Sequence, residues 1–163
     1  MTSHLPPVRR TAAQQELLHA ALTDLWEQRI SFNQVLGLKV LSLQPSDVRV
    51  AVTMRPDLVG HYAYGRLHGG VISATLDALA GLALMVALGE KHCDESAEQV
   101  MHRFGRMGTI DLRVDYLRQA VGSRFVAQAE VTRLGGRIGS TQMRMHSDSG
   151  ALVATGAASY VVS

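Results

Sequence analysis

Residues 71–88 read VISATLDALAGLALMVAL and follow directly on Leu67-His68-Gly69-Gly70. One residue of this run, Asp77, is charged, and nearly all the others are apolar or small. A helix that is apolar around most of its circumference is a buried helix. A carboxylate within it is costly unless something pairs with it or uses it. The two glycines leave bare backbone N–H groups at the helix start, where a carbonyl oxygen or an oxyanion can dock. Together these features point to hydrolytic chemistry on an acyl group. The same residues also admit plainer readings. Asp77 can be hydrogen-bonded to a neighbouring strand, and Gly69-Gly70 can be a tight turn. At about 1.5 Å per residue the run reaches about 27 Å, close to a membrane span. Against a span stand the mid-segment Asp77, the lack of a second such run, and amphipathic strands downstream.

The flanking sequence reads as one α+β domain. A length of 163 residues suits a single domain with its own core. From Thr11 to Ile30, Leu17, Leu18, Ala21, Leu22, Leu25 and Trp26 recur at helical spacing and predict an amphipathic helix. Leu38–Gln44 reads as a strand, and Gln44-Pro45-Ser46-Asp47 as a turn. The next strand, 48–55, has Val48, Val50, Val52 and Met54 on one face. After the long helix comes a polar segment, about Gly89–Gly108, with room for a short helix. Thr109–Leu117 then alternates, Ile110, Leu112, Val114 and Tyr116 facing one way and Asp111, Arg113 and Asp115 the other. Arg124–Arg133 puts Phe125, Ala127, Ala129 and Val131 inward, and strands at Ile138–Ser147 and Ala151–Val162 complete the set. Strands grouped before and after one helix predict an antiparallel sheet rather than βαβ units. A single helix apolar on most sides needs cover on most sides: a curved sheet wraps it, and a second subunit covers the rest. Residues 1–10 read as a flexible tail, and 11–163 as the domain.

Charge and cysteine content narrow the class. The net charge of +2, without a Lys/Arg run or interleaved aromatics, does not predict a nucleic-acid partner. A mild positive bias suits a phosphorylated small ligand. The single cysteine, Cys93, precludes an internal disulfide and fits a reducing compartment. The start MTSHLPPVRR has no apolar stretch of signal-peptide type, so a cytoplasmic location is expected.

The arrangement resembles the hotdog fold, an antiparallel sheet wrapped around a central helix, here with an extra N-terminal helix. Leu67-His68-Gly69-Gly70-Val71-Ile72, with Asp77 nine residues after His68, resembles the HGG…D signature of PaaI-type acyl-CoA thioesterases. The run Met107-Gly108-Thr109-Ile110-Asp111-Leu112-Arg113-Val114-Asp115-Tyr116-Leu117-Arg118 and the stretch Leu58–Gly81 closely resemble the YigI-type branch, which acts on medium- and long-chain acyl-CoA. The resemblance implies roles residue by residue. Asp77 matches the catalytic carboxylate. Gly69 and Gly70 match the helix start whose N–H polarises the thioester carbonyl, and His68 matches the motif histidine that supports the turn. Thr109 falls where relatives place a Ser or Thr from the partner subunit, near the attacking water. His61 stands where many relatives have an Asn, and a one-residue slip would put Tyr62 there instead.

The implied reaction is acyl-CoA plus water giving a carboxylic acid and CoA, with no cofactor. A preorganised N–H at the helix start can stabilise the developing oxyanion by roughly 3–4 kcal/mol. Asp77 then acts as general base on water, or as nucleophile through a mixed anhydride. For the CoA phosphates the candidates are Arg133 and Arg137, flanking the turn Leu134-Gly135-Gly136-Arg137, with Arg118 behind them. A zinc site is not predicted, because the His residues are scattered and HExxH is absent. No G-x-S-x-G elbow and no GK[ST] phosphate loop occurs. Two other classes remain open. A hydratase or dehydratase of acyl thioesters would pair His61 with Asp77, and a non-enzymatic acyl-CoA binder would bind without turnover. The expected assembly is a homodimer, possibly a dimer of dimers.

Overall fold

Alternating burial makes the C-terminal half of the chain a sheet. The computed structural model describes residues 9–163. Strands β1 (Lys39–Gln44), β2 (Asp47–Thr53), β5 (Gly108–Tyr116), β6 (Arg124–Leu134), β7 (Ile138–Ser147) and β8 (Leu152–Val161) form one antiparallel sheet in the order β1-β2-β6-β7-β8-β5. Val48, Val50 and Val52 of β2, Phe125, Ala127 and Ala129 of β6, and Met143 and Met145 of β7 point to one face and are buried. Gln128, Glu130, Gln142 and Arg144 face away from it and are exposed. Two short strands, β3 (Val59–His61) and β4 (Arg66–Leu67), make a separate hairpin that the sequence reading did not foresee.

The long helix lies on the buried face. It is α3, Gly69–Lys91, and Leu76, Leu79, Leu82, Leu84 and Met85 within it are fully buried. It is long and apolar enough for a membrane span, yet most of its apolar window is buried inside the fold, so it is a core helix. Small residues on the sheet admit its large ones. A Cβ added to Gly139 would run into the Leu84 side chain, and one added to Gly156 would sit 3.2 Å from Leu76. Gly139→Val is therefore expected to lower stability by about 1–3 kcal/mol through overpacking. The urea midpoint at unchanged m-value measures it.

At its C-terminal end, α3 is held by Arg10. The guanidinium donates to the carbonyls of Gly89 (2.6 Å), His92 (3.2 Å) and Glu95. A cation there satisfies the last carbonyls and complements the helix dipole. Residues 1–8 of the expected tail lie outside the described residues, whereas Arg10, expected within the tail, is tied to the core.

The N-terminal helix is present with a different ending. α1 (Ala12–Asp24) is capped by Thr11, whose hydroxyl accepts the Gln14 N–H. It runs into a wider π turn, Leu25–Arg29, closed by Ile30 N–H to Leu25 O at 3.0 Å. Leu18, Leu22, Leu25 and Trp26 are buried as their spacing predicts, but Leu17 points to solvent. A further short helix, α2 (Ser31–Leu36), follows and ends at Gly37 in the left-handed region (φ 68°).

The polar segment holds α4, Ala97–His102, started by a capping box between Ser96 and Gln99. Arg103 pairs with Glu95 just outside it. That hydrogen bond holds the Glu95 carboxyl below the usual carboxylate range. A carboxyl depressed in the folded state adds stability above its unfolded pKa and loses it as pH falls through the folded value. Arg103→Ala is therefore expected to lower the melting temperature at pH 7, by an amount that shrinks as pH falls below the ordinary carboxyl range, which a pH series of melts checks.

β5 departs from strict alternation. Its register shifts between Thr109 and Asp111, and Ile110 and Tyr116, expected on one face with Leu112 and Val114, are more than half exposed while Leu112 and Val114 are half-buried. β5 is an edge strand with β8 as its sole neighbour in the sheet, so one row of its backbone groups and part of its apolar face stay uncovered.

Candidate active site

Two clusters of predicted residues form on α3, one at its start and one two turns along. At the start, His68 is the N-cap, joining β4 to the helix. Its N–H donates to Leu58 O (2.9 Å), its carbonyl accepts from the Val71 and Ile72 N–H groups (2.9 and 3.2 Å), and its Nδ1 accepts the Gly70 N–H (2.8 Å). The expectation that both glycine amides are available is thus corrected at Gly70: its N–H is taken by the cap. The Gly69 N–H has no partner among the described residues, as befits the first helical position. The Gly69 carbonyl accepts from the Tyr116 phenol at 3.1 Å, and a Cβ on Gly69 would sit 3.3 Å from that ring.

His61 and Tyr62 belong to the same end. Gly60 lies so close to His68 that a Cβ there would come within 2.7 Å of its Cα. The His61 ring stacks with Tyr62 (centroids 5.6 Å) and meets Tyr64 (4.8 Å), and the Arg66 guanidinium lies 4.3 Å over Tyr64. Tyr62 is 94% exposed. Within the chain His61 belongs to the helix-start cluster and Asp77 to the one two turns along α3.

The second cluster centres on Asp77. Its Oδ1 accepts from the Thr109 hydroxyl (2.9 Å) and the Tyr160 phenol (2.5 Å); the same phenol lies 2.6 Å from the Asp77 main-chain oxygen. Thr109 therefore reaches Asp77 of its own chain, which corrects the expectation that it serves a partner's site. Burial, then the bond to Asp77, raises the Tyr160 pKa, so the phenol stays a donor at neutral pH. The Asp77 Oδ2 has no partner among the described residues. A carboxylate fixed through one oxygen and open at the other suits proton transfer.

Beside Asp77 opens a cavity of about 270 Å³. Thr109, Tyr160 and Asp77 form its polar foot, while Trp26, Ile30, Phe104 and Met107 supply apolar wall. The N-terminal helical segment thus covers this cavity. Among the described residues no three His, Cys, Asp or Glu side chains are grouped to hold a metal.

The basic candidates separate. Arg118 sits on the β5–β6 connection, donates to Leu152 O (3.0 Å), and neighbours the helix start through the Leu67 N–H to Ala120 O bond (2.9 Å). Arg133 and Arg137 flank a turn whose Gly135 carbonyl accepts from Lys91 (3.2 Å). That turn is at the far end of α3, fourteen residues or about 21 Å along the axis from Asp77.

Sequence reasoning missed Tyr160, Trp26, Tyr116 and Phe104. Gly81, four residues after Asp77, carried a signal: a Cβ there would lie 3.5 Å from the Tyr160 ring and 3.6 Å from Trp26. A small residue on the face of Asp77 marks where large side chains come in.

Residues 64–154 match the thioesterase superfamily. The chain is 34% identical over 139 residues to the medium/long-chain acyl-CoA thioesterase YigI of Salmonella typhimurium, covering 85% of this chain and 90% of that one. The YigI of Escherichia coli K12 gives the same figures. A crystal structure from Shewanella oneidensis, described as related to the thioesterase superfamily, superposes with a TM-score of 0.87 at 33% identity, covering 94% of this chain and 100% of that one. The chain belongs to the thioesterase superfamily. Its sheet-wrapped helix is the hotdog fold.

Proposed function

We propose that the chain hydrolyses acyl-CoA thioesters of medium to long chain, with Asp77 as general base and the Gly69 N–H as donor to the thioester carbonyl. The observation that carries this reading is Asp77, fixed through Oδ1 by Thr109 and Tyr160 and open through Oδ2 at the polar foot of an apolar cavity. The acyl chain enters the cavity, and water beside Oδ2 loses its proton as it attacks the carbonyl carbon. The carbonyl oxygen gains charge, the C–S bond breaks, and CoA leaves as thiol. Arg118 and Tyr62, at the helix-start end, are kept as contacts for CoA, and Arg133 and Arg137, about 21 Å along α3 from Asp77, as contacts for its distal phosphates. The names of the curated relatives support the substrate class. Cytoplasmic residence is part of the same proposal, supported by the single cysteine.

The site is proposed to be shared by two chains. Gly69 and Asp77 are eight residues apart, about 12 Å along the axis. A carbonyl and a water, joined by hydrogen bonds of ~2.9 Å, do not bridge that span. A second copy that lays its helix start beside Asp77 closes the gap. The open edge of β5, with exposed Ile110 and Tyr116, gives such a copy a place to pair. A homodimer is the smallest assembly that builds the site, and a dimer of dimers keeps it.

Thiol release from straight-chain acyl-CoAs of increasing length tests the reaction. Turnover that rises with chain length is the expected result. Consumption of a 2-enoyl-CoA without thiol release, or binding without turnover, would sink it.

A further inference from the structure

We propose that Trp26, on the π turn at the end of α1, walls the cavity beside Asp77 and limits the acyl length that fits it. This rests on the acyl-CoA reading above. On α3 the cavity is bounded by Ala74, Ala78 and Gly81, which share a face with Asp77. The space opens where the neighbours of Asp77 on this face are Ala or Gly. Phe32 and Thr109 on its lining are exposed, whereas Trp26, only 2% exposed, is a buried wall beside Gly81.

Trp26 is rigidly held. Its indole N–H donates to the Ala78 carbonyl (2.8 Å), and its ring meets Phe104 edge to face, centroids 5.1 Å apart at 64°. The turn that carries it is of a rare type that recurs at functional sites. A bonded, wedged ring makes a wall, not a gate.

Two measurements on the native chain, Trp26→Ala and Ala78→Leu test this. The first is kcat/KM for acyl-CoAs from four to sixteen carbons. The second is binding of the free fatty acids of the same lengths, which needs no hydrolysis. Each methylene taken up is worth about four-fold in affinity, so both should climb about four-fold per carbon and level off at the length the native cavity holds. Trp26→Ala should move the plateau to longer chains by several carbons, and Ala78→Leu to shorter ones. Opposite shifts are not the signature of a general folding defect. Should Trp26→Ala fail to fold, the shortening by Ala78→Leu decides alone. A plateau at one length in all folded variants, or a uniform loss across lengths, would overturn the proposal. If the acids show the shifting plateau while no thioester is cleaved, the cavity assignment stands and the thioesterase reading fails. If thioesters are cleaved with a fixed plateau, the reverse holds.

Discussion

Asp77→Asn should lower kcat for acyl-CoA hydrolysis by about 10²–10⁴-fold while leaving KM within a few-fold, the range general-base catalysis commands. Asparagine keeps the size of the side chain and an acceptor at Oδ1, so the bonds from Thr109 and Tyr160 persist. What it loses is the basic oxygen at Oδ2, which faces the cavity. The melting temperature should therefore change little while turnover collapses. Stopped-flow or endpoint thiol assays, with a thermal melt alongside, separate the two. Turnover near the native rate in a folded Asp77→Asn protein would remove Asp77 from the chemistry.

Gly69→Pro should cost about 10²–10³-fold in kcat, as expected for the loss of one oxyanion donor. Proline is tolerated at the first helical position, where the N–H has no partner in the helix. His68 before it is already extended (φ −65°, ψ 136°), the conformation proline demands of its predecessor. The substitution removes the donor without breaking the helix, and the control is Gly69→Ala. Alanine keeps the N–H and adds a Cβ 3.3 Å from the Tyr116 ring, a contact relieved by a few tenths of an ångström. Gly69→Ala should therefore retain most of the activity. Equal losses in both would mean that bulk near Tyr116, not the N–H, is what the site cannot bear.

The parts of the fold that showed in the sequence are those governed by local periodicity. The apolar run 71–88 became α3, and the alternating strands became the sheet, because both patterns report burial against one partner surface. What stayed hidden depends on long-range partners. Nothing in the spacing of β8 says that Tyr160 meets Asp77, eighty-three residues earlier. The π turn at Leu25–Arg29 carries Trp26, whose bond to α3 is a contact no local rule encodes. At the helix start the motif was legible but its division of labour was not. Histidine is not among the favoured N-caps, so the capture of the Gly70 N–H by His68 was invisible until the ring was placed. Thr109 was legible as part of the site but was assigned to the wrong side of it. The β5 bulge and open edge carry it to its own Asp77, and the partner's contribution is expected instead from the helix start.

The claim on which the account turns is that one chain supplies Asp77 and another supplies the Gly69 N–H. Co-expressing Asp77→Asn and Gly69→Pro chains under separate tags, and assaying the doubly purified mixed dimer for thiol release, tests it directly. A mixed dimer holds one intact site of two, so it should recover about half the native rate per dimer, since the two sites of a symmetric dimer are equivalent. A mixed dimer no more active than its two inactive parents would contradict a shared site.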